Sequence, residues 1–305
     1  MRLGVLDVGS NTIHLQVMDA HPGARPTPAT NYKVELQLTQ HLDSDGAISA
    51  QGVQLLNQAI AESVLHAHKN ETDEILAFAT SAVRDAKNGA QIIAEINRTH
   101  GIDLQVLNGN DEASMTFLAV RRWLGWSAGK LLVLDIGGGS LEIASGVDES
   151  PEATLSLPLG ASRLTYNFLS NDPYSSKEIK VLEKHVAEML KNSLPESLRT
   201  HDANHFVATS KTFRTLARIT SHWSGDDPKY LERSSLKFAI ERLTTMTKKM
   251  RTELPSVSES RAGQIVAGAI VAHAVMVSLD VAEVEICPWA LREGIVLRRL
   301  DWLSD

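Results

Sequence analysis

The chain has 305 residues, of which 43% are hydrophobic and 22% charged, with a formal net charge of −7. That length fits one large or two ordinary domains of a globular protein, and the acidic balance argues against a general nucleic-acid binder. The single cysteine, Cys287, excludes an internal disulfide and points to a reducing compartment.

The opening "MRLGVLDVG" reaches Asp7 after an apolar run too short for a signal peptide. Leu3–Asp7 and Ile13–Met18 read as strands joined at a Gly9–Thr12 turn, and Tyr32–Gln40 alternates like a third. Ser49 is an N-cap for a helix running to about Lys69. Glu74–Thr80 reads as a buried strand and "SAVRDAKNG" as the turn after it. Gln91–Thr99 is helical, Ile102–Leu107 extended and Glu112–Trp123 helical. The theme then restarts with strands at Leu131–Ile136, Leu141–Gly146 and Ala153–Leu157. Helices follow at 161–170 and 176–192, then a strand at Phe206–Thr209 and a helix at Thr212–Ser221. Leu236–Met250 and Arg261–Leu279 read as helices, Val284–Ile286 as a strand and Leu291–Leu300 as a last helix. No uncharged stretch approaches the ~20 residues of a membrane span. The Ala/Val-rich Ile265–Leu279, with His273 inside it, reads as a buried helix. The expected setting is cytoplasmic, with neither nucleic acid nor membrane as a partner.

This order is β-β-β-α-β-α twice, an α/β architecture with mixed sheets. The repetition extends to residues. "VLDVGSNT" at Val5–Thr12 returns as "VLDIGGGS" at Val133–Ser140. With a shift of 128 residues, Asp135 falls on Asp7, Gly137 on Gly9 and Ser140 on Thr12. A strand ending in Asp and then Gly-rich residues exposes backbone N–H groups that suit phosphate oxygens. Gly9, Ser10, Asn11 and Thr12 form one such turn, and Gly137, Gly138, Gly139 and Ser140 the other. Asp7 and Asp135 can hold a hard cation through oxygen. Either turn alone could be an ordinary hairpin; two copies in register favour a phosphate–metal site.

Other candidates are less specific. Arg84 suits a phosphate or equally a local salt bridge to Asp85. Ser210, Lys211 and Thr212 lie between a strand and a helix N-terminus, a usual anion position, and Arg214 and Arg218 follow on one helix face. Glu112, in the first turn of its helix, suits the helix dipole, and on spacing alone it reads as structural. His14 falls on Glu142 when the repeats are superposed, at a cleft edge or in the core.

"VLDVGSNTIHLQV", "ATSAVRDAKN", "NGNDEA", "VLDIGGGSLEI", "SLPLGASRLT" and "ALREGIVL" together resemble the Ppx/GppA phosphatase family. Its members are exopolyphosphatases and guanosine pentaphosphate phosphohydrolases of the acetate/sugar kinase, Hsp70 and actin superfold. The resemblance implies two ribonuclease-H-like domains of the actin-like ATPase superfold, each contributing one Asp-x-Gly hairpin to an interdomain phosphate cleft. The expected boundaries are 1–125 plus 289–305 for the first domain and 126–288 for the second. It implies that Glu112 is the catalytic base, matching the second Glu of a family Glu-Glu-Ala in which Asp111 replaces the first. Glu142 matches an acid that orients water or metal, with Leu141 in place of a family Thr. Arg84 matches an arginine that clamps the phosphoryl group. "ATSKT" departs from a Gly-rich family loop, so that Lys211 adds charge; Glu35 stands where many members have Arg, and Gly263 where many have Asp. The implied reaction is hydrolysis of terminal phosphoanhydride bonds of inorganic polyphosphate, with Mg²⁺, or Mn²⁺ in its place, held by Asp7, Asp135 and Glu142. The alternatives are pppGpp hydrolysis or a non-catalytic sensor of polyphosphate or nucleotide. A homodimer is the expected assembly. Such hydrolysis needs charge neutralisation, in-line positioning and an oriented water.

Overall fold

A computed structural model describes residues 1–303 of the chain. It divides into two compact units, one formed by Met1–Ala119 with the chain from Leu291 onward, the other by Val120–Ala290.

The first unit opens with β1 (Arg2–Val8), β2 (Thr12–Asp19) and β3 (Thr27–Glu35), followed by α1 (Ala50–Lys69), β4 (Glu74–Ala79), the four-residue α2 (Ser81–Arg84), α3 (Gly89–His100), β5 (Leu104–Val106) and α4 (Gly109–Leu124), whose last residues belong to the second unit. The strands form one sheet in the order β3-β2-β1-β4-β5. β1 pairs antiparallel with β2 and parallel with β4. A strand with sheet on both sides and helices on both faces must be apolar almost throughout, and Leu3, Val5, Leu6 and Val8 are all fully buried. Alternation assigns their faces. Leu6 and Val8 share a core with Leu56 and Ile60 of α1 and Ile92 and Ile96 of α3. Leu3 and Val5 pack with Met18, Leu107 and Ile295, Val296 and Leu300 of the closing helix. Ser49 caps α1 by accepting from the Gly52 N–H at 3.2 Å.

The second unit repeats the plan. It comprises β6 (Leu131–Ile136), β7 (Leu141–Gly146), β8 (Ala153–Leu157), α5 (Ala161–Phe168), α6 (Ser176–Ser193), α7 (Glu196–Arg199), β9 (His205–Ala208), α8 (Ser210–Ser224), β10 (Tyr230–Glu232), α9 (Arg233–Thr245), α10 (Lys248–Thr252), α11 (Glu259–Ser278) and β11 (Glu283–Ile286). The last helix, α12 (Leu291–Trp302), returns to the first unit. The second sheet runs β10-β11-β9-β6-β7-β8, with β6 antiparallel to β7 and parallel to β9.

Several elements differ from the sequence expectation. β3 begins and ends five residues earlier than predicted, and Gln37, at φ 50°, breaks the strand before a 3₁₀ turn at Leu38–His41. The predicted turn after β4 begins with the helical turn α2. The helix expected over Leu236–Met250 is two helices, broken at Met246 in extended conformation. α11 carries Glu259 and Arg261 but is, by length and composition, long and apolar enough to span a bilayer. Most of it is buried in the second unit, where it packs against α5, α6 and α9.

Candidate active site

The two Asp-x-Gly turns are built alike, each within its own unit. Asp7 stands opposite His14 in the β1–β2 ladder, and Asp135 opposite Glu142 in β6–β7. The Gly9 N–H donates to the Thr12 carbonyl at 3.0 Å, and the Gly137 N–H to the Ser140 carbonyl at 2.9 Å. The sequence repeat is thus a repeat of register and of hydrogen bonding.

What backs each turn differs. Behind the first, the Asn11 carbonyl accepts from the N–H groups of Leu36 and Gln37, at 2.9 and 3.0 Å. Behind the second stands the N-terminus of α5. The Gly137 carbonyl accepts from Ala161 N–H at 3.0 Å, and the Gly138 carbonyl from Ser162 and Arg163 N–H at 2.9 and 3.0 Å. The Arg163 Nε donates to the Gly139 carbonyl at 2.9 Å. With three successive carbonyls taken from behind, the Gly138 and Gly139 N–H groups have no protein acceptor among the described residues. Amides arranged this way form an anion-binding nest. Gly160 makes the approach possible, because a Cβ there would stand 2.2 Å from the Gly139 carbonyl carbon. Neither Gly160 nor Arg163, both within "SLPLGASRLT", is among the residues expected at the site; a Gly directly before a helix is the signal that marks the first of them.

Glu142 is buried, with 6% of its surface exposed, and accepts from Ser156 Oγ at 2.8 Å. Asp7 is partly buried; desolvation pushes its carboxyl above the ordinary range, and the Arg292 guanidinium on α12 opposes that shift. The Nε2 of His14 is buried without a hydrogen-bond partner among the described residues.

Arg84 ends α2, and Glu112 lies on the first turn of α4, where the Asn108 side chain caps the helix by accepting from Asn110 and Asp111 N–H at 3.0 Å each. The Arg84 Nη1 donates to Glu112 Oε1 and, at 3.0 Å, to the Leu107 carbonyl. Its Nε donates to Asp85 Oδ1 at 3.1 Å. Burial weakens the Arg84 cation, but Glu112 and Asp85 outweigh that effect and raise its pKa. Glu112 is only 7% exposed. Of the two readings left open for Arg84, the salt bridge to Asp85 is present, and a second carboxylate shares the guanidinium.

The loop after β9 parallels the one after β4. Thr80 precedes α2 with ψ −155°, and Thr209 precedes α8 with ψ −156°. Ser210 has a positive φ of 69°. Lys211 is exposed, whereas Thr212 is buried with its methyl against Gly268. Arg214 folds back onto the Ser210 carbonyl at 3.1 Å, and Arg218 donates to Ser256 Oγ at 2.7 Å. The two arginines take different partners rather than forming one stripe.

Two units of this topology, each opening on a hairpin closed by an Asp-x-Gly turn, have the actin-like ATPase fold. The likeness extends to solved structures. An exopolyphosphatase from Cytophaga hutchinsonii superposes with a TM-score of 0.87 at 24% identity, covering 99% of this chain and 98% of that one. The Aquifex aeolicus member of the Ppx/GppA family superposes with a TM-score of 0.81 at 22% identity, over 100% and 99% of the two chains. The chain belongs to the Ppx/GppA phosphatase family, which it matches over residues 16–302. It is 49% identical to Exopolyphosphatase 1 of Mycobacterium tuberculosis over 309 aligned residues, covering 100% of this chain and 90% of that relative. With the Mycobacterium leprae protein of the same name it shares 47% identity, over 100% and 91% of the two chains.

Proposed function

We propose that this protein is an exopolyphosphatase that releases orthophosphate from the ends of inorganic polyphosphate. The observation that carries the mechanism is the partly buried Arg84–Glu112 pair on the unit that also bears the Ser10–Thr12 turn. Glu112 accepts a proton from the attacking water as its oxygen bonds to the terminal phosphorus, while the bridging P–O bond breaks and the shortened polyphosphate chain leaves with the bonding electron pair. General-base help of this kind contributes on the order of 10²–10⁴ in rate. Arg84 fixes the carboxylate and presents positive charge to the phosphoryl oxygens. The Gly138 and Gly139 N–H groups and the Ser140 hydroxyl supply donors for phosphate on the second unit. Support for polyphosphate as the substrate comes from the names of the relatives at 47–49% identity.

The residues present fit a hard divalent cation. No three His, Cys, Asp or Glu side chains converge as a ligand set among the described residues. Mg²⁺ nevertheless needs only one or two carboxylates, taking its other ligands from substrate phosphates and water. Asp7 on the first unit, and Asp135 and Glu142 on the second, are the carboxylates that each turn would offer it, and Asp7 is a desolvated oxygen donor of the kind a cation stabilises. Mg²⁺, or Mn²⁺ in its place, would supply charge neutralisation at the phosphoryl group. The same reading takes the protein as a cytoplasmic homodimer, on the family resemblance and the single thiol.

Phosphate release from polyphosphates of defined length, beside pppGpp, with Mg²⁺ and with EDTA, tests the proposal. Polyphosphate should turn over faster than pppGpp at matched concentration, and EDTA should abolish both. No release from any polyphosphate, or faster pppGpp turnover, would overturn it.

A further inference from the structure

The four residues of α2 are tied down at both ends. At the N-terminal end, Ser81 Oγ lies 2.9 Å from Ser10 Oγ, in the turn between β1 and β2. Both serines are buried, with 3% and 4% of their surfaces exposed. At the C-terminal end, Arg84 reaches Glu112 and the Leu107 carbonyl. Between the ends, Arg84 N–H donates to the Thr80 carbonyl and Asp85 N–H to the Ser81 carbonyl, each at 3.0 Å. A single turn closed this way is short and stiff, so the position of Ser81 sets that of Arg84. No side-chain cap from Thr80 fixes its start. Beside the Thr80 N–H bond to the Val8 carbonyl at 3.2 Å and the buried Ala82 and Val83, the hydroxyl pair with Ser10 is the side-chain tie between this end and the turn.

The second unit lacks this link. Its corresponding serine, Ser210, accepts from the Phe213 N–H of its own helix at 3.4 Å. The turn there is backed by α5 and Gly160 instead. A hydroxyl tie from the turn to the helix that follows the parallel strand is therefore a feature of the half that carries Glu112, not a general property of the repeated plan.

We infer that Ser81 is a positioning residue that couples the Gly9–Thr12 turn to the base Glu112 through α2 and Arg84. The inference rests on the exopolyphosphatase reading and names a residue that acts on Glu112 without touching substrate. The hydroxyl pair is buried and joins turn to helix directly, so its loss leaves α2 held at this end by backbone and packing alone and loosens its register with the turn. Arg84 then holds Glu112 in a spread of positions. Misplacement of a catalytic group lowers kcat more than it weakens binding.

The test compares Ser81→Thr with Ser81→Val, which share a shape and differ in the hydroxyl, so that any steric harm is common to both. With short-chain polyphosphate, S81V should have a kcat about tenfold below S81T, with KM within about twofold. A cycle with Arg84→Lys adds a second readout. If Ser81 acts through Arg84, replacing the hydroxyl in the lysine background should cost less than about twofold more. Equal kcat for S81T and S81V would overturn the inference, as would full additivity with Arg84→Lys. Either result in a parent protein that hydrolyses polyphosphate leaves the proposed function standing; a parent that does not would remove that function first.

Discussion

At the residue scale, the weight of the mechanism falls on Glu112, and its position explains why sequence alone could not assign it. An acid in the first turn of a helix is what the helix dipole favours in any protein. What sets Glu112 apart is Arg84, 28 residues earlier in the chain, which reaches it across the end of the sheet. That pairing is a product of tertiary structure, and neither local pattern hints at it. The paired turns were legible because Asp-x-Gly is a local signature and its second copy falls in register. Ser81 was not, since a buried hydroxyl looks like that of any loop serine. Glu112→Gln keeps the size and burial of the side chain and removes its ability to take a proton. Melting temperature and polyphosphate binding should be retained while kcat falls by about 10²–10⁴. A variant within a few-fold of the parent would return Glu112 to the role of a helix-start acid.

At the element scale, the strands next to the turns were read to within a residue or two, and the errors lie where local preference and tertiary context part. β3 was placed late because "YKVELQLTQ" alternates well. The ladder to β2 instead pairs Thr12 with Glu35 and carries the strand back to Thr27. Three-residue β10 directly follows a stretch of Gly, Asp and Pro that reads as loop, and its pairing with β11 makes it a strand. α6 shows the opposite case, a helix whose start is written locally. Ser175 and Glu178 form a reciprocal capping box there. Hydrogen bonds from Asn171, Ser170 and Ser175 hold the Glu178 carboxylate far below its ordinary range. A carboxyl depressed in the folded state stabilises the fold above its unfolded pKa and loses that contribution as the pH falls through and below it. For Glu178 the loss therefore begins near pH 4.5, the unperturbed value, and continues downward. Glu178→Gln should flatten the fall of melting temperature with pH below about 5, while the parent continues to lose stability. Identical acid profiles would mean that the box contributes nothing that titrates.

At the scale of the whole molecule, the chain builds one plan twice and specialises each copy. The ladder positions Asp7–His14 and Asp135–Glu142 are equivalent, yet one turn is linked to a helix bearing Arg84 and the other is backed by a helix N-terminus. Two units could be seen in the sequence from the repeat. The place where the chain passes from one to the next could not, because the passage falls within α4, with no loop or change in composition to mark it. If both carboxylates serve one metal requirement, Asp7→Asn and Asp135→Asn should each raise the Mg²⁺ concentration for half-maximal activity. A titration midpoint unchanged in both variants would show that the two turns bind phosphate without a cation.

The return of α12 to the first unit has a consequence for how the protein is made. Leu3, Val5 and Met18 face a layer completed by Ile295, Val296 and Leu300. On the ribosome β1 leaves the exit tunnel well before the helix that covers it. Roughly 170 residues of the second unit are translated in between, about 10–30 s at ordinary elongation rates. During that interval the second unit can fold to completion, while the half bearing Asp7 keeps an apolar face open to whatever holds nascent chains. The sheet bearing Asp7 thus matures only once α12 has been made, and a product terminated before α12 would carry its phosphate turn on a sheet with one side uncovered.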